Sequence, residues 1–185
     1  MIDISALVQV KAFARQDAVA LSVLWTASLA AYALSPNSSW GSLLALCTPF
    51  LVGWLLTRFR ETALDGVISF RRGLAYCCYV FFYASLIFAL VQYIYFRFLD
   101  GGRFAQMIDA SLKVLEPFYQ QQGISTKELE TGSKIISMMS PIQLAFTFMM
   151  QNLFVGFLLS LPIALICQRR TKRQGAGDKQ RHTRD

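Results

Sequence analysis

The sequence predicts an all-α integral membrane four-helix bundle with an amphipathic extracytoplasmic helical segment between helices 3 and 4. Three observations lead there. Apolar residues collect in four long blocks, 18–34, 40–56, 74–99 and 142–167, whose one charged residue, Arg97, lies near a block end. Lys and Arg crowd into the segments on one side of those blocks. Between the third and fourth blocks, apolar side chains recur at helical spacing along one face of a charged segment. The 185-residue chain is 55% hydrophobic and 14% aromatic, against roughly 45 to 50% apolar for a soluble domain. Its apolar residues come in long runs rather than alternating with polar ones, which favours lipid contact over a soluble core.

A hydrocarbon core of roughly 30 Å takes about 20 helical residues. The first two blocks therefore need their flanks to span, and the last two tilt or protrude. The spans are placed at about 17–35, 40–57, 74–99 and 141–167 within a membrane domain of residues 1–170. An extracytoplasmic helical lobe covers 103–139, and a disordered basic cytoplasmic tail covers 171–185.

Local signals mark the ends. Ser39 and Ser69 stand where helices two and three need an N-cap, and Ser140 with Gln143 forms a capping box, with Pro141 at the first helical position. Asp100-Gly101-Gly102 ends helix three in a turn. Pro49 and Pro162 leave the carbonyls of Ala45 and Leu158 without their helical donor, so kinks are expected inside helices two and four. In the lobe, Met107, Ile108, Leu112, Val114, Leu115 and Phe118 share a face opposite Asp109, Lys113 and Glu116. Such a helix lies on the outer interface or covers the outer end of the bundle. Residues 120–123, QQQG, break it, and Ser125 with Glu128 starts a second short helix.

Thirteen basic residues flank one side of the blocks: Lys11 and Arg15, Arg58, Arg60, Arg71 and Arg72, and seven between Arg169 and Arg184. On the other side, Arg103, Lys113, Lys127 and Lys134 are outnumbered by Asp100, Asp109, Glu116, Glu128 and Glu130. The positive-inside rule then puts both termini in the cytoplasm. The net charge of +7 belongs to this asymmetry, and no nucleic-acid partner is expected. Lys11, Arg15 and the Ala31-Tyr32-Ala33 triplet mimic a signal peptide, but the apolar stretch is too long and Asp3 and Asp17 precede it, so the first helix is read as retained. Asn37-Ser38-Ser39 is a short glycosylation match of low specificity.

Chemistry-bearing residues are few. Cys47, Cys77, Cys78 and Cys167 all fall inside the blocks and read as apolar packing residues, and the sole histidine, His182, is in the tail. No catalytic residue, cofactor or metal site is expected. Glu61 and Asp65 sit among arginines and read as salt-bridging groups. Trp40 and Trp54, near opposite ends of helix two, read as interfacial anchors. On helix four, Asn152, Gly156, Ser160 and Ala164 repeat every four residues as a ridge of small or amide side chains, and Cys78, Ser85, Ala89 and Gln92 form a stripe on helix three that would match it. Small residues allow close backbone approach, and a buried Asn bonds across helices, so this ridge is a packing seam first. The alternative is a polar path near Gln92, Gln151 and Asn152, as in a small transporter or channel subunit.

The stretch GVISFRRGLAYCCYVFFYASLIFALVQYIYFRFLD resembles the bacterial membrane family catalogued as domain of unknown function 4199. That family is similar in having four membrane helices, with a motif matched here by Gly66, Ile68, Ser69, Phe70 and Gly73 and an aromatic helix end matched by Tyr93 to Phe96. The closing SPIQLAF and LSLPIALICQRR are similar to the family's last helix and basic end. The resemblance implies a retained first helix and a bacterial inner membrane, and it brings no activity or site residues. The expectation is a non-catalytic scaffold or accessory subunit in contact with the lipid bilayer. It packs with itself or with another membrane protein through the Asn152 to Ala164 ridge.

Overall fold

The computed structural model describes residues 4–35, 39–121 and 126–169. Asn37 and Ser38 of the glycosylation match, Ser125 of the second capping box and the 171–185 tail lie outside the described residues. The helices are α1 (Ile4–Leu34), α2 (Trp40–Leu46), α3 (Thr48–Ala63), α4 (Phe70–Ile94), α5 (Arg103–Gln121), α6 (Thr126–Met138) and α7 (Pro141–Cys167). A π-helical turn, Tyr95–Leu99, extends α4. Four stretches are long and apolar enough to cross a membrane: Val8–Leu34, Trp40–Ala63, Phe70–Leu99 and Pro141–Cys167. The protein is an all-α, multi-pass membrane bundle.

Its layout follows from which faces are apolar on which side. α4 is central and packs along α7 and α1, α2 leans on α1, and α3 reaches across to α7. α1 begins well before the expected residue 17 because tertiary contact carries it there. Val10 and Ala14 are buried and Phe13 sits 5.3 Å from Phe59, while Lys11 and Arg15 stay exposed on the other face. The second span also differs from a single kinked helix. It breaks at Cys47, whose N–H is shared between the carbonyls of Leu43 (3.2 Å) and Leu44 (3.1 Å), and restarts with Pro49 in the first turn of α3. There the missing proline N–H and the fixed φ are tolerated.

The caps are mixed. Ser140 N–H donates to Gln143 Oε1 at 2.8 Å, as a capping box requires. Ser39 and Ser69 hold N-cap positions, but neither hydroxyl makes a cap bond, and Ser39 has helical backbone angles. After α4, Gly101 and Gly102 turn the chain at φ +55° and +84°, and the buried Asp100 carboxylate accepts from the N–H groups of Gly102 and Phe104, both at 3.1 Å. Asp100 thus ends one helix and caps the next.

α5 and α6 pack chiefly on each other, with Ser133 hydrogen-bonded to Asp109. The hairpin touches the bundle at its root: Phe104 meets Phe96 and Phe148, and the Tyr32 hydroxyl meets the Met107 sulfur. At the opposite end, Ile68 and Arg169 exchange two 3.1 Å backbone hydrogen bonds, and Arg60 donates to the Cys167 carbonyl at 2.9 Å. A guanidinium therefore satisfies a carbonyl at the C-terminal end of α7, where the helix dipole also favours a cation.

Candidate functional site

The predicted ridge on α7 is largely taken up inside the chain. Gly156, Ser160 and Ala164 are buried, and α4 covers them. A Cβ at position 156 would lie 2.5 Å from Cγ of Phe81, so glycine alone lets that ring lie against the α7 backbone. Cys78 pairs with the Ser160 side chain, whose hydroxyl donates to the Gly156 carbonyl at 2.7 Å. A Cβ at Gly73 would stand 3.6 Å from that of Ala164. Of the stripe on α4, Cys78 meets this ridge at Ser160. Assembly with a second protein through Gly156, Ser160 and Ala164 would require displacing α4.

Two polar groups of the α4 stripe stay unmatched. Ser85 Oγ and Gln92 Oε1 are buried without a hydrogen-bond partner among the described residues. The register set by Gly73 against Ala164 and Phe81 against Gly156 places Ser85 about level with Asn152, and Gln92 about level with Ala145.

Asn152 itself faces elsewhere. It is half-buried and lines a cavity of about 750 Å³ walled by α1, α2, the start of α3, α4 and α7. The cavity exists because the break at Cys47 sends α2 toward α1 and α3 toward α7, leaving a wedge between α2 and α7 on the side of the α5–α6 hairpin. Trp25, Phe81, Phe88 and Leu159 form apolar walls, and Trp25 Nε1 donates to Thr48 Oγ1 at 3.0 Å. Ser28 donates to the Gly41 carbonyl at 2.7 Å. Those polar wall groups are satisfied, but the Asn152 carboxamide has no partner among the described residues.

The three residues of the expected polar path are not brought together. Gln151 is exposed on the lipid-facing side of α7, Gln92 is buried in the α4 seam, and of the three only Asn152 lines the wedge. The wedge itself was not legible in the sequence, because it depends on how far two distant helices diverge. One signal was available: Gly41, Ser42 and Ala45 put small residues on the same turns of α2.

Near the other end of the bundle the structure adds a pair that sequence reasoning passed over. The Tyr76 hydroxyl, on a fully buried side chain, donates to the Asp17 carboxylate of α1. Phe59 stacks on Tyr76 with ring centroids 4.7 Å apart and planes at 8°. Glu61 pairs with Arg60 at 2.7 Å, the salt bridging expected of it, whereas Asp65 occupies a turn at φ +49°. Cys77 is buried as expected of a packing residue, but Cys47, at the helix break, is exposed.

Comparison with known families matches residues 18–169 to the one described as "Protein of unknown function (DUF4199)". No curated protein and no solved structure matches the chain.

Proposed function

The chain belongs to the DUF4199 family of proteins of unknown function, and from that premise we propose that it serves as a non-catalytic scaffold or accessory subunit of a bacterial inner membrane, with its chain ends in the cytoplasm. The positive-inside distribution of arginines and lysines supports that orientation. One observation supports the scaffold role above others. Among the described residues the α5–α6 hairpin meets the bundle at its root, and it leaves Val114 77% and Met138 82% exposed, outside the spans where lipid tails would cover them. Exposed apolar side chains on an extramembrane element suit a protein contact. Because α4 already occupies the ridge from Gly156 to Ala164, the proposed contact lies on the hairpin.

The test is blue-native electrophoresis and chemical crosslinking in mild detergent, comparing the wild type with V114K and M138K. The expected result is a crosslinked assembly that both substitutions weaken, while the thermal midpoint of the isolated chain stays within about 2 °C. A chain that remains monomeric under every mild extraction, or an assembly indifferent to both changes, overturns the reading. A small transporter or channel subunit is the second reading, supported by an amide lining an intramembrane cavity. It requires substrate-dependent flux in proteoliposomes that is lost on Asn152→Leu.

A further inference from the structure

A second hollow lies along the α4–α7 seam, with Phe81 standing between it and the wedge. It is a groove of about 510 Å³, walled by Ala75, Cys78 and Phe82 of α4 and by Leu153 and Phe157 of α7. That volume falls within the roughly 300 to 1,000 Å³ of small-molecule sites. All five residues belong to spans, and Phe82 is 43% and Phe157 53% exposed, so the groove opens into hydrocarbon. Its one thiol, Cys78, pairs with Ser160 and leaves the lining largely apolar.

The way the groove ends says what fits it. Ala75, Cys78 and Phe82 follow one stripe of α4 at i, i+3 and i+7, and Arg71 is the next residue of that stripe toward the 64–69 loop. α7 brings a second cation to the same end. Ile68 exchanges backbone hydrogen bonds with Arg169, and Gly73 stands against Ala164, so Arg71 is about level with Ile166 and within a turn of Arg169. Both arginines are exposed. Neither has an ion-pair partner among the described residues, since Glu61 is taken by Arg60 and Asp65 pairs with neither.

The groove also has the right length. From Arg71 to Phe82 the helix rises about 16 Å, close to half of a hydrocarbon core of roughly 30 Å. Two cations at one end and a leaflet's depth of apolar wall below them match a phospholipid, whose phosphate precedes its acyl tail. Guanidinium groups suit that phosphate because their N–H donors match its oxygens in pairs.

We propose that this groove holds an acyl tail of an anionic phospholipid from the adjoining leaflet, with the phosphate hydrogen-bonded to Arg71 and Arg169. The site is independent of the hairpin contact proposed above.

Photo-crosslinking tests it on the full-length chain in phosphatidylcholine vesicles carrying a trace of phosphatidylglycerol with a diazirine in one tail. Adducts are expected on Phe82 and Phe157 although phosphatidylcholine is in vast excess, and unlabelled phosphatidylglycerol should displace them. Arg71→Gln and Arg169→Gln should each reduce this labelling about fivefold, and Arg15→Gln, on the exposed face of α1, should leave it unchanged. Ala75→Trp, which fills the groove next to Arg71, should abolish it. Adducts spread evenly over Phe157 and exposed residues of other spans, such as Val23 and Phe50, would mean bulk lipid contact only and overturn the proposal. Equal losses from Arg15→Gln and Arg71→Gln would also overturn it, by showing attraction to the basic chain as a whole. Should Ala75→Trp fail to fold, the competition on the wild type decides: labelling undiminished by excess phosphatidylglycerol sinks the site.

Discussion

In the half of the bundle that carries the 64–69 loop, Phe59 and Tyr76 stack at 4.7 Å and α3 buries Val52, Leu55, Leu56 and Phe59. In the half toward the hairpin, α2 buries only Gly41, and the space that larger side chains would fill is a cavity of about 750 Å³. The same spans run through both halves, so the difference is not one of composition alone. It arises where the second span breaks at Cys47. α3 then swings toward α7 and closes one half, and α2 stays with α1 and leaves the other open. In lipid, where tails are as apolar as leucine, a helix gains little by hiding apolar surface, and close packing decides what associates. The closed half has that packing, while the open half keeps a space into which lipid can enter.

The comparison breaks most easily at its aromatic centre. Phe59→Ala removes the ring stacked on Tyr76 and should lower stability by about 3 kcal/mol, read as reduced resistance to sodium dodecyl sulfate unfolding. Phe88→Ala, which only enlarges a space already open, should cost clearly less. Equal losses would mean that the two halves are packed alike.

A smaller effect sharpens the account of the seam between them. Gly156→Ala places a methyl against the Phe81 ring and should destabilise by about 1 to 3 kcal/mol, and trimming that ring with Phe81→Leu should recover part of the loss in the double mutant. Additive losses, with no recovery, would show that the contact between Gly156 and Phe81 does not hold α4 to α7.

The smallest effect is the most discriminating. If Asn152 bridged helices, replacing it with Leu would cost roughly 0.6 to 2 kcal/mol. Because its carboxamide lines the wedge without a partner among the described residues, Asn152→Leu should leave the thermal midpoint in detergent unchanged or raise it. A clear fall would return Asn152 to the seam.

Much of the architecture was legible in advance. Four spans, the capping box at Ser140 and the meeting of Cys78 with Ser160 rest on composition and short-range spacing. Asp100 was read only as a turn because its capping of Phe104 N–H depends on how the following helix starts. Tyr76 and Asp17 were missed because they are far apart in sequence and neither stands in a motif. The seam reading treated Asn152, Gly156, Ser160 and Ala164 as one surface, yet a four-residue repeat drifts around an α-helix by about 40° per step. Along the ridge, that drift is enough to bury Ser160 on α4 and turn Asn152 into the cavity.

By itself the sequence determined how many segments leave water for lipid and how basic residues sort around them, since the transfer of an apolar run and the resistance of an arginine are properties of the local chain. Only the tertiary structure decided where the second span breaks, how each helix is rotated about its axis and therefore which polar groups are satisfied. Those outcomes depend on contacts between side chains brought together from opposite ends of the sequence, such as Phe81 against Gly156 and Arg60 against the Cys167 carbonyl.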